Sequence, residues 1–146
     1  MIFCDTSLLL SLYVADRWSE EATRLVSTLR VPLVWTPWHE LEISAALEAR
    51  VGRGLTSREE ADNIYPVLRR HRDDGFFRVV YPHSWPEVFR LGSALAMSHG
   101  AKHLNRGMDV LHVALCKTLK VETFWSMDDR QRALAEDVGL IVNHLD

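Results

Sequence analysis

The chain alternates between short apolar runs and longer segments whose apolar residues recur at helical spacing. Short apolar runs closed by polar or turn-forming residues are typical of strands, and the longer pattern is typical of amphipathic helices. The short runs predict strands at residues 2–4, 33–35, 76–81, 121–127 and 140–145. The longer segments predict helices at residues 8–13, 19–30, 37–51, 57–74, 85–98 and 128–138, and another that begins after residue 105 or 107 and reaches residue 120.

Local signals predict the ends of several helices. Thr36 and Pro37 suit the N-cap and the first helical position of the third helix. Pro66 is expected to interrupt the fourth helix, and Gly100 is expected to end the fifth. Strands that alternate with helices favour a parallel sheet with helices on both faces. We therefore expect a single α/β domain over residues 1–146.

Composition and charge narrow the classes of function. The 146 residues include 17 Lys and Arg against 20 Asp and Glu, a net charge of −3, which argues against a module that coats duplex phosphates with cations. The two cysteines are too few for a disulfide framework and lack zinc-site spacing, so we expect a reducing, cytoplasmic location. The sequence contains neither an apolar run long enough to span a membrane nor a secretory signal, so an unexported protein is expected.

Two carboxylates are expected at one edge of the predicted sheet. Asp5 follows the first strand and Asp128 follows the fourth. In open α/β sheets, sites form beyond the carboxyl ends of the strands, which favours a functional role for both. Each of them could equally be a helix N-cap, a common position for Asp.

Two further acids lie on helices that carry small or apolar residues. Successive helical residues rotate by about 100°, which places Glu42 on a face with Trp38 and three alanines and leaves Glu40 nearly opposite, toward solvent. Asp109 similarly shares a face with Val113 and Cys116. An ion pair with an arginine is the structural alternative for Glu42, and stabilisation of the helix dipole is the alternative for Asp109.

Four inward-facing or edge acids would repel one another unless a cation neutralises them. Ligand sets made only of oxygen favour hard ions such as Mg²⁺ or Mn²⁺, and these ions support metal-assisted hydrolysis of phosphodiesters. The acids therefore predict a metal site.

The ordered motifs of the chain resemble those of the PIN-domain family, and within it the VapC-type toxin ribonucleases of toxin–antitoxin pairs. The resemblance extends over essentially the whole chain. It rests on four segments and a closing Ala-x-x-x-Gly-Leu: Asp5-Thr6-Ser7, Leu41-Glu42, Asp109-Val110-Leu111-His112-Val113-Ala114 and Ser126-Met127-Asp128-Asp129-Arg130-Gln131.

The resemblance implies a three-layer α/β/α fold with a central, mostly parallel sheet of four to five strands. It implies a Mg²⁺- or Mn²⁺-dependent endoribonuclease that forms a homodimer and is inhibited by a VapB-like antitoxin. The metal ligands and catalytic acids would be Asp5, Glu42 and Asp109, with Asp128 as a more variable fourth. Ser7 and Ser126 match the family's hydroxyl residues near the first and fourth acids and would lie at the edge of the site. Either Asp128 or its neighbour Asp129 would face the metal. From the residues themselves, His112 is either a packed histidine or a residue at the edge of the site, and the position of Lys102, His103 and Arg106 just before the helix of Asp109 favours contact with RNA.

Two alternative functions are open from the sequence. The first is a PIN-like binding module that has lost catalysis, although the presence of all four acids argues against it. The second is a receiver-like signalling domain, which requires paired acids near the first strand and a late lysine. Asp5 stands alone, and Glu42 on a helix has no place in such a domain.

Overall fold

The computed structural model describes residues 1–145 and has an α/β fold. The elements in chain order are β1 (Phe3–Cys4), α1 (Thr6–Ser11), α2 (Ser19–Ser27), β2 (Leu33–Trp35), α3 (Pro37–Gly52), α4 (Arg58–Asp73), β3 (Phe77–Val79), α5 (Trp85–His103), α6 (Gly107–Thr118), β4 (Thr123–Trp125), α7 (Asp129–Asp137) and β5 (Ile141–Val142). Every predicted strand is present, each shorter than or equal to its predicted length. The predicted domain of residues 1–146 includes residue 146, which lies outside the described residues.

The chain divides into two compact units. The terminal unit combines Met1–Asp5 with the segment that begins at Tyr81, and the inner unit is Thr6–Val80. A single domain over the whole chain stays a prediction. Among residues 1–145, no helix is both long and apolar enough to cross a membrane.

The terminal unit contains a three-stranded parallel sheet in the order β1-β4-β5. Phe3 pairs with Phe124 in register, and their rings stack with centroids 5.8 Å apart. Cys4 and Cys116 lie fully buried in this unit and form no disulfide, as expected of thiols that pack as small apolar side chains. Burial raises the pKa of the Cys116 thiol to about 12, so it stays protonated.

The inner unit contains a two-stranded parallel sheet, in which β2 pairs with β3. Trp35 and Phe77 are buried there with ring centroids 4.8 Å apart. Thr36 caps α3 as predicted: its hydroxyl accepts from the backbone N–H of His39, and the imidazole of His39 accepts from the backbone N–H of Thr36. The hydrogen bonds of the five strands thus form two separate parallel sheets, where the sequence predicted a single central one.

Two predicted helix boundaries are wrong. Helix α4 continues through Pro66, because buried Ala61, Ile64 and Leu68 hold one face of the helix in place on both sides of the missing N–H. Helix α5 continues through Gly100 and ends at His103. The C-cap residue, Leu104, has a left-handed φ of 56° and donates its N–H to the carbonyl of Gly100.

Candidate active site

Asp5 lies at the carboxyl end of β1 in the terminal unit. Its backbone N–H donates to the carbonyl of Trp125 at 2.9 Å, which extends the pairing of β1 with β4 by one residue. The side chain is buried, with a relative exposure of 1%. Its Oδ2 accepts hydrogen bonds from Ser126 Oγ at 2.9 Å and from Gln131 Nε2 at 3.0 Å. This buried carboxylate is therefore held by two neutral donors from other elements.

Ser126 connects the ends of the three strands of this sheet. It follows β4 directly and is fully buried. Its backbone N–H donates to Asn143 Oδ1 beyond β5, and its hydroxyl accepts from the backbone N–H of Asp128, both at 2.9 Å. Because the same hydroxyl donates to Asp5, a short chain of hydrogen bonds runs from Asp128 through Ser126 to Asp5. The predicted edge residue Ser126 thus orients an acid.

Asp109 lies in the first turn of α6 and is brought to Asp5 by a shared amide. Asp109 Oδ2 accepts from the backbone N–H of Arg106 at 2.9 Å, as a first-turn acid that also caps the helix. Its other oxygen, Oδ1, accepts from Gln131 Nε2 at 3.4 Å. Since the same Nε2 donates to Asp5, the two carboxylates lie on either side of one side-chain amide. The buried Val113 and Cys116 follow Asp109 along α6.

Asp128 is the N-cap of α7, so the capping role considered for it is present. Its Oδ1 accepts from the backbone N–H groups of Arg130 and Gln131, and its side chain pairs with the Arg130 guanidinium. Partial burial acts to raise the pKa of Asp128, but these hydrogen bonds and the attraction of Arg130 together lower the pKa below its ordinary value. Asp129, by contrast, is 88% exposed and pairs with Arg132. Of these two neighbours, only Asp128 joins the hydrogen-bonded chain to Asp5.

Glu42 lies in the inner unit, and its predicted position at the centre of a packing face is wrong. The buried residues of α3 are His39, Ile43 and Leu47, spaced one turn apart, and Glu42 lies half-buried beside them. Two of the alanines expected to share its face, Ala45 and Ala49, are exposed. The hydroxyl of Thr6 donates to Glu42 Oε2 at 2.6 Å. Sequence reasoning missed this contact, because Thr6 and Glu42 lie 36 residues apart in the chain.

Glu40, the neighbouring acid on α3, faces solvent as predicted. It pairs with Arg72 at 3.0 Å. Ser7, an expected edge residue, is exposed on α1, and its carbonyl accepts from Ser11 Oγ.

The remaining candidates occupy different surroundings in the terminal unit. His112 is buried, and its ring packs edge-on against Phe3 with centroids 5.9 Å apart. Lys102 and His103 both bind Asp137 Oδ2, at the end of α5. Arg106 is 77% exposed just before α6 and lies 3.8 Å from Asp109. Contact of Lys102, His103 and Arg106 with RNA stays a prediction, as does the position of His112 at the edge of the site.

Gln131 is the principal site residue that the sequence did not reveal. A glutamine three residues after Asp128 is typical of a capping box, in which its side chain turns back toward the N-cap. The structure instead directs the amide inward, between Asp5 and Asp109. Within the described residues, no three or more His, Cys, Asp and Glu side chains form a group that could hold a metal ion. The site therefore consists of the carboxylates of Asp5 and Asp109 with the neutral amide of Gln131 between them.

Comparisons with known proteins identify the family of the chain. The PIN domain family matches residues 2–137. Ribonuclease VapC3 of Pyrobaculum aerophilum is 31% identical over 115 residues, which represent 79% of this chain and 80% of that protein. Both matches extend over most of the chain, and we conclude that it belongs to the PIN-domain family as a VapC-type PIN protein, which implies the three-layer α/β/α fold.

Proposed function

We propose that the protein is a metal-dependent endoribonuclease and the toxin of a toxin–antitoxin pair. The observation that carries the proposal is the convergence of Asp5 and Asp109 on one amide nitrogen, because it brings two carboxylates from distant parts of the chain to one point. Family membership and the likeness to a VapC ribonuclease support RNA as the substrate.

The residues around this point suit a hard divalent cation. Asp5 and Asp109 offer carboxylate oxygens and Ser126 a hydroxyl, and the amide that bridges the acids carries no charge to offset theirs. Asp5 and Asp109 would hold the ion, and the resemblance adds Glu42 and Asp128. Bound Mg²⁺ or Mn²⁺ supplies Lewis-acid assistance to phosphodiester hydrolysis.

The hydroxyl groups of Ser126 and Thr6 hold the carboxylates of Asp5 and Glu42 in position. Ser126 fixes Asp5 and is itself fixed by Asn143, so the carboxylate needs little reorganisation when it acts. Thr6 fixes Glu42 in the inner unit in the same way. Contact with the RNA backbone is assigned to Lys102, His103 and Arg106, with Ser7, Asp129 and His112 at the edge of the site.

We also propose a homodimer that acts in the cytoplasm and is inhibited by a VapB-like antitoxin. The VapC name of the relative supports the antitoxin as a partner. Light scattering tests the dimer: we expect about twice the chain mass of 16.8 kDa, and a monomer at micromolar concentration would exclude it.

Cleavage of RNA by purified variants tests the enzymatic proposal. Asp5→Asn, Asp109→Asn and Glu42→Gln should each lower the cleavage rate by at least about 10- to 100-fold, the loss typical of a disturbed metal site. Asp128→Asn should lose less, since this carboxylate already caps α7 and pairs with Arg130.

Asp62→Asn provides the matched control. This exposed acid on α4 pairs with Arg58 at the surface, so its neutralisation should leave cleavage intact. EDTA should abolish cleavage by the wild type, and Mg²⁺ or Mn²⁺ should restore it. Full cleavage by Asp5→Asn, or cleavage unaffected by EDTA, would refute the proposal.

A further inference from the structure

Gln131 occupies an unusual position for a neutral side chain. It is the third residue of α7 and only 5% exposed. Its Nε2 donates both to Asp5 Oδ2 and to Asp109 Oδ1. An amide nitrogen between two acids does part of what a cation would do, because its hydrogens point toward both negative groups, but it adds no positive charge.

The other end of the same amide lacks a hydrogen bond. Gln131 Oε1 is buried, and none of the described residues donates to it. A buried carbonyl without a donor is unfavourable by about 1–3 kcal/mol. The amide therefore satisfies its donor end at the expense of its acceptor end.

Rotation of the amide about its last side-chain bond exchanges the two ends. With the acids ionised and no cation present, only the orientation with Nε2 inward avoids contact between oxygen atoms. When a cation lies between the acids, a carbonyl oxygen directed toward it becomes favourable, and the N–H groups are repelled. The two states of the site thus favour opposite orientations of the same side chain.

We propose that Gln131 is a metal-responsive positioning residue, whose N–H groups hold Asp5 and Asp109 together without metal and whose Oε1 turns toward the cation when it binds. This inference rests on the metal dependence proposed above. It goes beyond that proposal because it gives a role to a residue that is not one of the four acids.

The sequence makes a direct test possible, because Gln131 is the only glutamine in the chain. Selective ¹⁵N labelling of the glutamine side-chain amide yields a single pair of NMR signals. In EDTA, we expect these signals to differ from those of an exposed amide and to exchange slowly with water, owing to hydrogen bonds with two carboxylates. Titration with Mg²⁺ should shift both signals and accelerate their exchange with water.

Backbone amide signals of Asp5 and Asp109, recorded in a parallel titration of uniformly ¹⁵N-labelled protein, separate the two proposals. If these signals shift with Mg²⁺ while the Gln131 side-chain pair does not, the inference is overturned and the metal site stands. If neither set shifts, both the metal site and the inference fail. In the uniformly labelled sample, the side chain of Asn63, exposed on α4, provides a reference whose signals should stay constant.

Variants of similar size supply a second, independent measurement. Isothermal titration with Mn²⁺ should show roughly tenfold weaker binding for Gln131→Leu, which loses the carbonyl, and tighter binding for Gln131→Glu, which adds a charged oxygen. Asp137→Asn, an acid on the same helix that contacts Lys102 and His103, should bind Mn²⁺ like the wild type. A merely structural role for Gln131 predicts unchanged Mn²⁺ affinity in all three folded variants, and that result would overturn the inference.

Discussion

Replacement of Ser126 by alanine should weaken the fold through the loss of two buried hydrogen bonds. The hydroxyl donates to the buried carboxylate of Asp5 and accepts from the backbone N–H of Asp128. A hydrogen bond to a charged group contributes about 1.5–3 kcal/mol, and a neutral one contributes about 1 kcal/mol. We therefore expect Ser126→Ala to lower the free energy of unfolding by about 2.5–4 kcal/mol.

Urea unfolding in EDTA, followed by tryptophan fluorescence, measures this loss in the metal-free protein. Ser126→Ala should lower the midpoint without changing the dependence on urea, since the surface exposed on unfolding is nearly the same. Ser93→Ala, an exposed serine on α5, should stay within about 0.5 kcal/mol of the wild type. If Ser126→Ala were equally neutral, the hydrogen-bonded chain through Ser126 would not support Asp5, and the reasoning would be wrong.

Two further predictions concern stability away from the acid pair. Hydrogen bonds from Lys102, and to a smaller extent from His103, lower the pKa of Asp137 in the folded protein to about 2. The pKa of this carboxyl in the unfolded chain is about 4, so the ionised carboxylate stabilises the fold fully above that pH. This stabilisation is lost as the pH falls through about 2. Thermal melts of wild type and Asp137→Asn should accordingly differ at pH 6 and converge near pH 2; a constant difference would contradict the ion-pair account. Ser57→Ala removes the N-cap of α4 and should cost about 1 kcal/mol in urea unfolding, whereas no loss would show that the cap is energetically silent.

Local signals in the sequence predicted much of the fold. Thr36 and Pro37 marked the start of α3 correctly, because capping depends on residues close in sequence. Asp5 and Asp128 were correctly placed after β1 and β4, because polar residues end short apolar runs. Pro66 and Gly100 misled the prediction, since each is only a local preference. At Pro66, buried residues on both sides of the proline outweighed that preference, and at Gly100 the helix continues for three more residues, to His103.

The directions in which side chains point were harder to predict from the sequence. A helical wheel gives the angle of Glu42 but not the direction from which neighbours approach, so the buried face proved to be that of His39, Ile43 and Leu47. The inward turn of Gln131 depends on two carboxylates far away in sequence. A capping rule considers only residues within a few positions of the helix start, so it cannot predict contacts with Asp5 and Asp109.

The pairing of β1 with β4 also affects when the acid pair can assemble during synthesis of the chain. Phe3 leaves the ribosome well before its partner Phe124. Until that late segment emerges, Asp5 lacks both the Ser126 hydroxyl and the Gln131 amide that hold it. A nascent chain that has already folded residues 6–80 therefore still carries an incomplete acid pair. The topology thus delays assembly of this pair until residues 124–131 have been synthesised, so a chain that ends before them cannot form it.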